Sequence, residues 1–279
     1  MIPFEFEFYT PETVEEAVKV YMTAKSKGLL PMYYSGGTEF ISRARRNEIK
    51  VDLVIDIKRI DACKLCKSDE HELTLGAAVT LTEIIEANLF PLLSDVARSI
   101  ATRTARNKIT IGGNMMSNLP YKEALLPFLL ADSEVVIAGE QGVRQVNIHD
   151  VYTDCFSMAP EEWIVQIITN AKALQASYYH EKRTRQSQIN YPLVTATSLF
   201  ESENTRIALS GMSNNPIRVK QIEDVANDLT KAKDVRVVEM VEALPTQIID
   251  NEAGSSGYRE FVLQGMFYDI LSKREELQI

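Results

Sequence analysis

Hydrophobic and polar positions change period several times along the first part of the chain. Segment 4–8 alternates strictly between apolar and polar residues, which is typical of an edge strand. Apolar residues then recur at helical spacing from Val14 onward. Thr10 is predicted to cap this helix with Pro11 at its first position, and Gly28 is predicted to end it. The predicted elements here are strand 4–8, a helix before Gly28, strand 29–34, helix 38–47 and strand 52–57. Their order is β-α-β-α-β.

The middle of the chain continues with shorter strands and helices. The predicted elements are strand 72–77, helix 81–88 capped by Thr80, helix 90–103, strand 109–111, helix 120–130, a hairpin of 133–138 and 143–148, and strand 161–167. A domain boundary is predicted near 171–174.

Beyond that boundary the pattern predicts a meander followed by helices. The predicted elements are strands 175–181, 190–201 and 205–211 and helices 219–229, 235–244 and 258–273. The apolar stripe on the last helix includes Phe261 and indicates core or a subunit contact rather than a cofactor site. We therefore predict an α+β fold. One domain is expected at 1–172, in lobes of about 1–57 and 58–172, and a second at 173–279.

Two of the predicted strands run into paired glycines. Strand 29–34 is followed by Ser35-Gly36-Gly37-Thr38, and strand 109–111 by Gly112-Gly113-Asn114, with Ser117 close behind. A missing Cβ lets a ligand approach backbone N–H groups, and a helix N-terminus adds positive potential. One such loop alone is more simply a tight turn. Two loops of the same design favour a diphosphate held from both sides, although neither matches the G-x-G-x-x-G or P-loop motif.

Composition narrows the class of protein. The chain has 279 residues, 45% of them hydrophobic, and a net charge of −9 from 30 basic and 39 acidic residues. This charge argues against a sequence-independent nucleic-acid binder. The N-terminus lacks the basic region and apolar core of a signal peptide, and no apolar run reaches membrane-spanning length. A cytoplasmic location is the expectation, with neither nucleic acid nor membrane as a partner.

The cysteines and histidines do not predict a metal site or a nucleophile. Cys63 and Cys66 form a lone C-x-x-C, which we interpret as an unpaired, reduced surface turn rather than a redox pair or half a metal site. Cys155 is interpreted as a small core or loop residue. The three histidines are scattered, so no catalytic side chain is predicted. A protein whose cofactor performs the redox chemistry needs no catalytic side chain of this kind.

The two glycine loops also resemble those of a known family. Segment 35–40 resembles an A-G-G-T-D-L loop, and 106–114 resembles an I-R-N-x-x-T-I-G-G-N loop. The two loops that they resemble are those of one family, the FAD-binding medium subunit of molybdenum hydroxylases of the xanthine dehydrogenase and carbon monoxide dehydrogenase type. Further similarity lies at 52–57, 131–136 and 206–218, so matches in order span nearly the whole chain. The resemblance implies a two-lobed FAD-binding (PCMH-type) region and a C-terminal carbon monoxide dehydrogenase flavoprotein-type domain with a three-stranded sheet and helices.

The resemblance also implies a set of FAD contacts. The backbones of 35–38 and 112–114 would hold the pyrophosphate, and Phe40 would lie beside the isoalloxazine. Glu123 stands at a ribose-binding Asp, Ile164 or Val165 at an adenine-packing residue, and Lys182 near the pyrimidine end of the ring. The complete implied set is Tyr34, Ser35, Gly36, Gly37, Thr38, Glu39, Phe40, Arg106, Thr110, Ile111, Gly112, Gly113, Asn114, Met116, Ser117, Glu123, Ile164, Val165 and Lys182.

Several of these positions keep two interpretations. Arg106 either brings its charge near the phosphates or ties loop to loop, and Lys182 either neighbours the flavin or belongs to a solvated face. Ile164 and Val165 fit an ordinary strand core equally well. Leu119 stands where the family usually has a hydroxyl, and Glu123 is one methylene longer than the usual Asp. These two departures keep a flavin-free scaffold subunit open as an alternative.

The resemblance implies an oxidoreductase function within a hetero-oligomer. A large subunit with a molybdenum cofactor would hydroxylate substrate, and a small subunit with two [2Fe–2S] clusters would carry electrons to FAD on this chain and then to NAD or another acceptor. A stand-alone FAD-dependent oxidase or reductase of the wider PCMH superfamily is the second enzymatic hypothesis.

Overall fold

Parallel strands and two helices build the first lobe, in the predicted order. The computed structural model describes residues 1–120, 122–184, 192–202, 204–244 and 248–278, and the bounds here are β1 Glu7–Tyr9, α1 Val14–Ser26, β2 Pro31–Tyr34, α2 Thr38–Arg45 and β3 Leu53–Asp56. The strands lie in the order β1-β3-β2, all parallel, with Leu53 opposite both Glu7 and Pro31. Each strand thus ends at the same edge of the sheet, where the first glycine loop begins.

Helix α1 begins later than the sequence pattern predicts. Thr13, and not Thr10, is its N-cap, because the Thr13 hydroxyl accepts the Glu16 N–H at 3.1 Å. Pro11 therefore precedes the helix. Gly28 follows the helix end with φ of 77°, a left-handed conformation that glycine adopts without strain.

The second lobe packs helices against an antiparallel sheet whose strands differ in length. Its elements are α3 Asp61–Lys64, β4 Cys66–Ser68, β5 Glu72–Gly76, α4 Leu81–Ala87, α5 Pro91–Ser99, α6 Arg103–Arg106, α7 Ile111–Met115, α8 Leu126–Leu130, β6 Glu134–Gly139, β7 Gly142–Asn147, α9 Ile148–Val151 and β8 Trp163–Asn170. The strand order is β4-β5-β8-β6-β7, and the predicted hairpin is β6–β7. Thr80 caps α4 in a reciprocal capping box with Glu83, as its position before the helix predicts.

Three local predictions in this lobe are wrong. Segment 109–111 is not a strand, because the Thr110 hydroxyl caps a helical turn that contains both glycines. The predicted helix 90–103 ends at Ser99, and Ala101 then has a φ of 49°. The predicted helix 120–130 is helical only from Glu123 onward, and its Tyr121 lies outside the described residues.

The C-terminal region combines a sheet with three longer helices. Its elements are α10 Ala171–Gln175, β9 Ser177–Thr184, β10 Pro192–Glu201, β11 Asn204–Ser210, β12 Ile217–Arg218, α11 Lys220–Asn227, α12 Lys233–Glu242 and α13 Ser256–Glu276. Short β12 pairs with β11, so the predicted three-stranded meander has a fourth strand in the described residues. Residues 190 and 191 of the predicted strand 190–201 lie outside them. Phe261 is 71% exposed, so of the two interpretations of the stripe it does not belong to the core of this chain, and a subunit contact there stays a prediction.

An ionic cluster holds this region against the second lobe. Arg206 of β11 pairs with Asp132 at 2.8 Å, and Arg218 of β12 reaches the other oxygen of the same carboxylate. Burial alone raises the pKa of Asp132, but a hydrogen bond from His149 and the two guanidinium groups outweigh it and hold that pKa at about 2. The α+β class and the sheet-plus-helix C-terminal region are confirmed, while the domain limits at 172 and 173 stay a prediction.

The cysteines differ from their predicted setting. Cys63 lies in α3 with none of its surface exposed, and burial raises the pKa of its thiol to about 12, so it is not part of a surface turn. Cys66 is half-buried and Cys155 is exposed, and all three are free thiols. In the described residues, no helix combines the length and apolar character needed to cross a bilayer.

Candidate functional site

The two glycine loops touch each other across the junction of the lobes. A Cβ added at Gly36 would lie 1.9 Å from the backbone oxygen of Lys108 and 3.2 Å from the backbone nitrogen of Thr110. Only glycine permits so close an approach between two backbones. The loops thus meet at one cleft, as a shared ligand requires.

Two adjoining cavities form this cleft. The larger, about 800 Å³, is lined by residues of both loops and of α2, namely Met32 to Phe40, Ser42, Arg43, Arg46, Glu48, Ile49, Ile109, Thr110, Gly113, Asn114 and Met116 to Leu119. The smaller, about 370 Å³, shares Met32 to Ser35, Gly113 and Met116 with it. Each volume falls in the range of small-molecule and cofactor sites, and the two cavities share part of their lining.

The first loop presents a helix N-terminus without a side-chain cap. Gly37 is the N-cap residue of α2, has a φ of 70° and supplies no capping side chain. The first-turn N–H groups of α2 therefore have neither an intrahelical acceptor nor a cap. Since these N–H groups and the helix dipole both favour negative charge, this end of the cleft suits a phosphate group.

The second loop uses its own N–H groups internally. Gly112 donates to the Ala77 oxygen at 3.0 Å, Gly113 to the Thr110 hydroxyl at 3.3 Å and Asn114 to the Thr110 oxygen at 2.9 Å. A Cβ at Gly112 would lie 2.6 Å from the Ala77 Cβ, so this glycine allows close packing. In this geometry the three N–H groups have partners within the protein, and the expectation that the backbone of 112–114 holds a pyrophosphate stays a prediction. Ile111 is fully buried in the core.

Glu39 links the two loops. Its Oε2 accepts the Ser117 hydroxyl at 2.7 Å and the Asn118 N–H at 3.2 Å, and its Oε1 pairs with Arg43 at 3.3 Å. Ser117 therefore bridges the lobes through Glu39, in addition to lining the cleft. Leu119, beside this link, is 48% exposed.

Aromatic side chains support the first loop. Phe40 is only 7% exposed and meets Phe6 and Tyr34 edge-on, with ring centroids 5.9 and 6.0 Å away. It thus belongs mainly to the core of the first lobe, with part of its surface on the cleft. Tyr34 is half-buried, and its ring occupies the space that a Cβ of Gly37 would need.

Glu123 and Lys182 form a buried ion pair with each other. Their charged atoms lie 2.9 Å apart, and their side chains are 2% and 8% exposed. Thr195 donates to Glu123 at 3.0 Å, and Lys182 donates to the Ser99 oxygen at 2.9 Å. The interpretation of Lys182 as part of a solvated face is therefore wrong. Neither residue lines the two cavities described above.

Arg106 turns away from the glycine loops. Its Nη1 donates to the backbone oxygens of Ile100 at 2.9 Å and Ala101 at 2.8 Å, which lie in the turn after α5. Of the two interpretations of Arg106, the geometry supports the one that ties loop to loop.

The smaller cavity has an aromatic wall that the motif comparison missed. Tyr33 stacks on Tyr21 with ring centroids 4.8 Å apart and lies 5.2 Å from the Trp163 ring. Ile164 also lines this cavity, whereas Val165 is buried in the core behind it. The signals in the sequence were the tyrosine pair directly before the first loop and the single tryptophan.

Buried polar atoms of this wall lack partners. The Ser35 hydroxyl makes no hydrogen bond with any residue that the structure describes, and the Tyr33 hydroxyl and the Trp163 indole nitrogen, although neighbours, form none of good geometry there. Burial also raises the pKa of Tyr33 well above its usual range, so its hydroxyl keeps its proton. Unpaired buried polar groups are costly, and a ligand or water that pairs with them would remove that cost.

A family model described as "FAD binding domain in molybdopterin dehydrogenase" matches residues 4–169. The chain belongs to this family. The resemblance carried by its two glycine loops is thereby confirmed, and FAD is the cofactor of the matched domain. Since the match spans both lobes, it includes the whole cleft between them.

Relatives of this FAD-binding domain are subunits of dehydrogenases. The nicotinate dehydrogenase FAD-subunit of Eubacterium barkeri is 28% identical over 153 residues, which cover 53% of this chain and 51% of that protein. The carbon monoxide dehydrogenase medium chain of Hydrogenophaga pseudoflava is 25% identical over 228 residues, 78% of each chain. The chain is thus similar to subunits of oxidoreductases.

Solved structures share the fold over nearly the full length. Carbon monoxide dehydrogenase from Hydrogenophaga pseudoflava lacking the Mo-pyranopterin moiety has a chain with TM-score 0.86 and 21% identity, covering 98% of both chains. Quinoline 2-oxidoreductase from Pseudomonas putida 86 gives TM-score 0.82 at 18% identity, covering 97% of this chain and 96% of that one. At these identities the likeness establishes the fold.

Separate parts of the cleft in this FAD-binding domain have the chemistry that the parts of a dinucleotide require. The uncapped start of α2 suits the diphosphate, the aromatic wall beside Ile164 suits a planar base, and the unpaired polar atoms of Ser35 and Trp163 call for hydrogen-bonding partners.

Proposed function

We propose that this chain is the FAD-carrying electron-transfer subunit of a molybdenum hydroxylase. The observation that carries the proposal is the contact of the two glycine loops at one cleft, with the uncapped N-terminus of α2 beside it. The first loop, 35–38, would hold the diphosphate. Ile164 and Trp163 would flank the adenine in the smaller cavity. Met116 and the exposed face of Phe40 would line the larger cavity.

The proposal includes two partner subunits. A large subunit would carry the molybdenum cofactor, as in the xanthine dehydrogenase type, and a small subunit would carry [2Fe–2S] clusters. Bound FAD would supply the step that receives electrons from those clusters and passes them to NAD or another acceptor. The complex would be cytoplasmic. Support comes from the relatives named medium chains, such as the glyceraldehyde dehydrogenase medium chain of Sulfolobus acidocaldarius, 21% identical over 275 residues.

A flavin titration tests the proposal. The purified chain, stripped of any ligand, is titrated with FAD and followed by calorimetry and by the visible absorbance of the flavin. We expect saturation at one FAD per chain and a yellow protein. A folded chain that does not take up added FAD would refute the proposal and leave the flavin-free scaffold, for which the exposed Leu119 and the buried Glu123 are the relevant departures.

Two further measurements separate the enzymatic alternatives. Turnover of an organic substrate by the isolated, FAD-loaded chain would support a stand-alone oxidase or reductase. Co-purification from the native host followed by mass identification is expected to recover one large and one small companion. A chain that purifies alone at native abundance would contradict the assembly.

A further inference from the structure

Lys58 contacts the first glycine loop from the turn that follows β3. Its Nζ donates to the backbone oxygen of Ser35 at 2.9 Å and to both carboxylate oxygens of Asp56, at 2.7 and 2.8 Å. Asp56 also accepts the Lys58 N–H at 3.1 Å, which holds the turn after β3. The ammonium group is thereby fixed at one point beneath the loop.

The contact with Ser35 sets the orientation of the next peptide N–H. In a planar trans peptide the C=O and the N–H point in opposite directions. Because Lys58 holds the Ser35 oxygen on its own side, the Gly36 N–H of the same peptide is directed away from Lys58. A loop whose carbonyl turned over would present an oxygen in place of this donor, and an oxygen repels a phosphate.

A second contact of Lys58 is with the Tyr34 ring, which lies against Gly37 at the other end of the loop. Lys58 Nζ lies 4.5 Å from the centroid of the Tyr34 ring, within cation–π distance. That ring fills the space within 2.3 Å of where a Cβ of Gly37 would be, so its position and the left-handed backbone of Gly37 depend on each other. Lys58 therefore contacts both the Ser35 oxygen and the Tyr34 ring, which lie beside the uncapped start of α2.

We propose that Lys58 is a positioning residue that orients the first glycine loop for the diphosphate of a dinucleotide, an inference that rests on the proposed FAD function. It acts through Ser35 and Tyr34 and lines neither of the two cavities. Its side chain is 44% exposed, whereas that of Asp56 is 11% exposed, so removing Lys58 also takes the counter-charge from a largely buried carboxylate. Ligands with and without phosphate separate an effect on binding from an effect on the fold.

The test compares ligands with and without phosphate. In Lys58→Met, we expect the affinities for FAD and for ADP to fall by the same factor, about tenfold, because both ligands carry the diphosphate. Adenosine, observed by ligand-detected NMR, should keep its affinity. Lys58→Arg, which retains a cation and donors, should restore most of the loss. Lys64→Met is the control for losing an exposed ion pair outside the loop, since Lys64 pairs at 2.9 Å with Asp61, which is 97% exposed.

The outcomes separate this proposal from the proposed function. Wild-type protein that binds neither FAD nor ADP refutes the function itself. Wild-type protein that binds both, with Lys58→Met equally tight, refutes the role of Lys58 alone. Equal losses for adenosine and ADP would indicate a general structural effect and also overturn it. Should Lys58→Met not fold, Lys58→Thr replaces it, and failure of both to fold would show a purely structural residue.

Discussion

The two glycine loops look alike in sequence and differ in what they do with their backbone. Each has two glycines with a serine or threonine nearby, and each follows a run of residues that is typical of a strand. In the first loop the helix start is left without a cap, because Gly37 has no side chain to provide one. In the second loop Thr110 provides the cap, and the N–H of Gly112 is bonded to Ala77. The two loops thus differ both in the N-cap residue and in the packing of Gly112 against Ala77.

The comparison teaches that a missing Cβ has two separate uses. At Gly36 and Gly112 it lets two pieces of backbone pack in contact, with Lys108 and Ala77 respectively. At Gly37 it permits a left-handed backbone beside the Tyr34 ring. The motif alone does not distinguish these uses, since both leave the same letters in the sequence.

Replacing Gly36 by alanine should have the largest effect. The new Cβ would lie 1.9 Å from the Lys108 oxygen, so the two loops must separate. We expect a loss of stability of about 1–3 kcal/mol and loss of measurable FAD binding. Urea unfolding and a flavin titration measure the two effects. Gly265→Ala, where a Cβ meets nothing within 4 Å, is the control and should bind FAD normally. Unchanged FAD affinity in a folded Gly36→Ala protein would contradict the view that FAD binding needs the first loop in contact with the second.

Replacing Gly112 by alanine should destabilise the protein while sparing the ligand. Its Cβ would lie 2.6 Å from the Ala77 Cβ, which again predicts a cost of about 1–3 kcal/mol. Because the second loop uses its N–H groups internally, the FAD affinity of the folded fraction should change less than in Gly36→Ala. The double variant Gly112→Ala/Ala77→Gly should recover part of the stability. If Gly112→Ala kept full stability but did not bind FAD, the second loop would have the ligand-binding role that is assigned here to the first.

Replacing Glu39 by glutamine should weaken the connection between the loops. The neutral amide keeps one acceptor for Ser117 or Asn118 but loses the pair with Arg43, and the expected loss is about 1 kcal/mol. FAD should dissociate faster, as stopped-flow fluorescence would measure. Glu86→Gln is the control, since Glu86 also pairs with an arginine, Arg103, but lines neither cavity. Equal dissociation rates in the two variants would count against an interlobe role for Glu39.

Removing the cap of the second loop should have the smallest effect on binding. Thr110→Ala loses the acceptor for the Gly113 N–H and is expected to cost about 1 kcal/mol in thermal or urea unfolding. FAD affinity should stay within about twofold, because that N–H then has no partner and is free to meet the ligand. Thr110→Ser keeps the acceptor and should behave as wild type. A large loss of affinity in Thr110→Ala alone would mean that the capped turn itself contacts the ligand.

Periodicity predicted most of the helices and strands, because apolar spacing reflects which face is buried. It failed where a side chain bonds to nearby backbone: Thr13 caps α1 later than predicted, and Thr110 caps a helical turn where a strand was predicted. The motifs located the loops but not the aromatic wall around Trp163, since a wall contributed by separate elements leaves no local pattern. The pairing of Glu123 with Lys182 was also invisible, because it depends on how two distant segments pack.

The Glu123–Lys182 pair has a consequence for dissecting the chain. The family match ends at residue 169, yet the counter-charge of Glu123 and its Thr195 donor both come from beyond that point. A fragment trimmed to the matched segment would lose both of these partners of Glu123 together with the strands β9 and β10 that carry them. We therefore expect the matched segment alone to be less stable than the full chain.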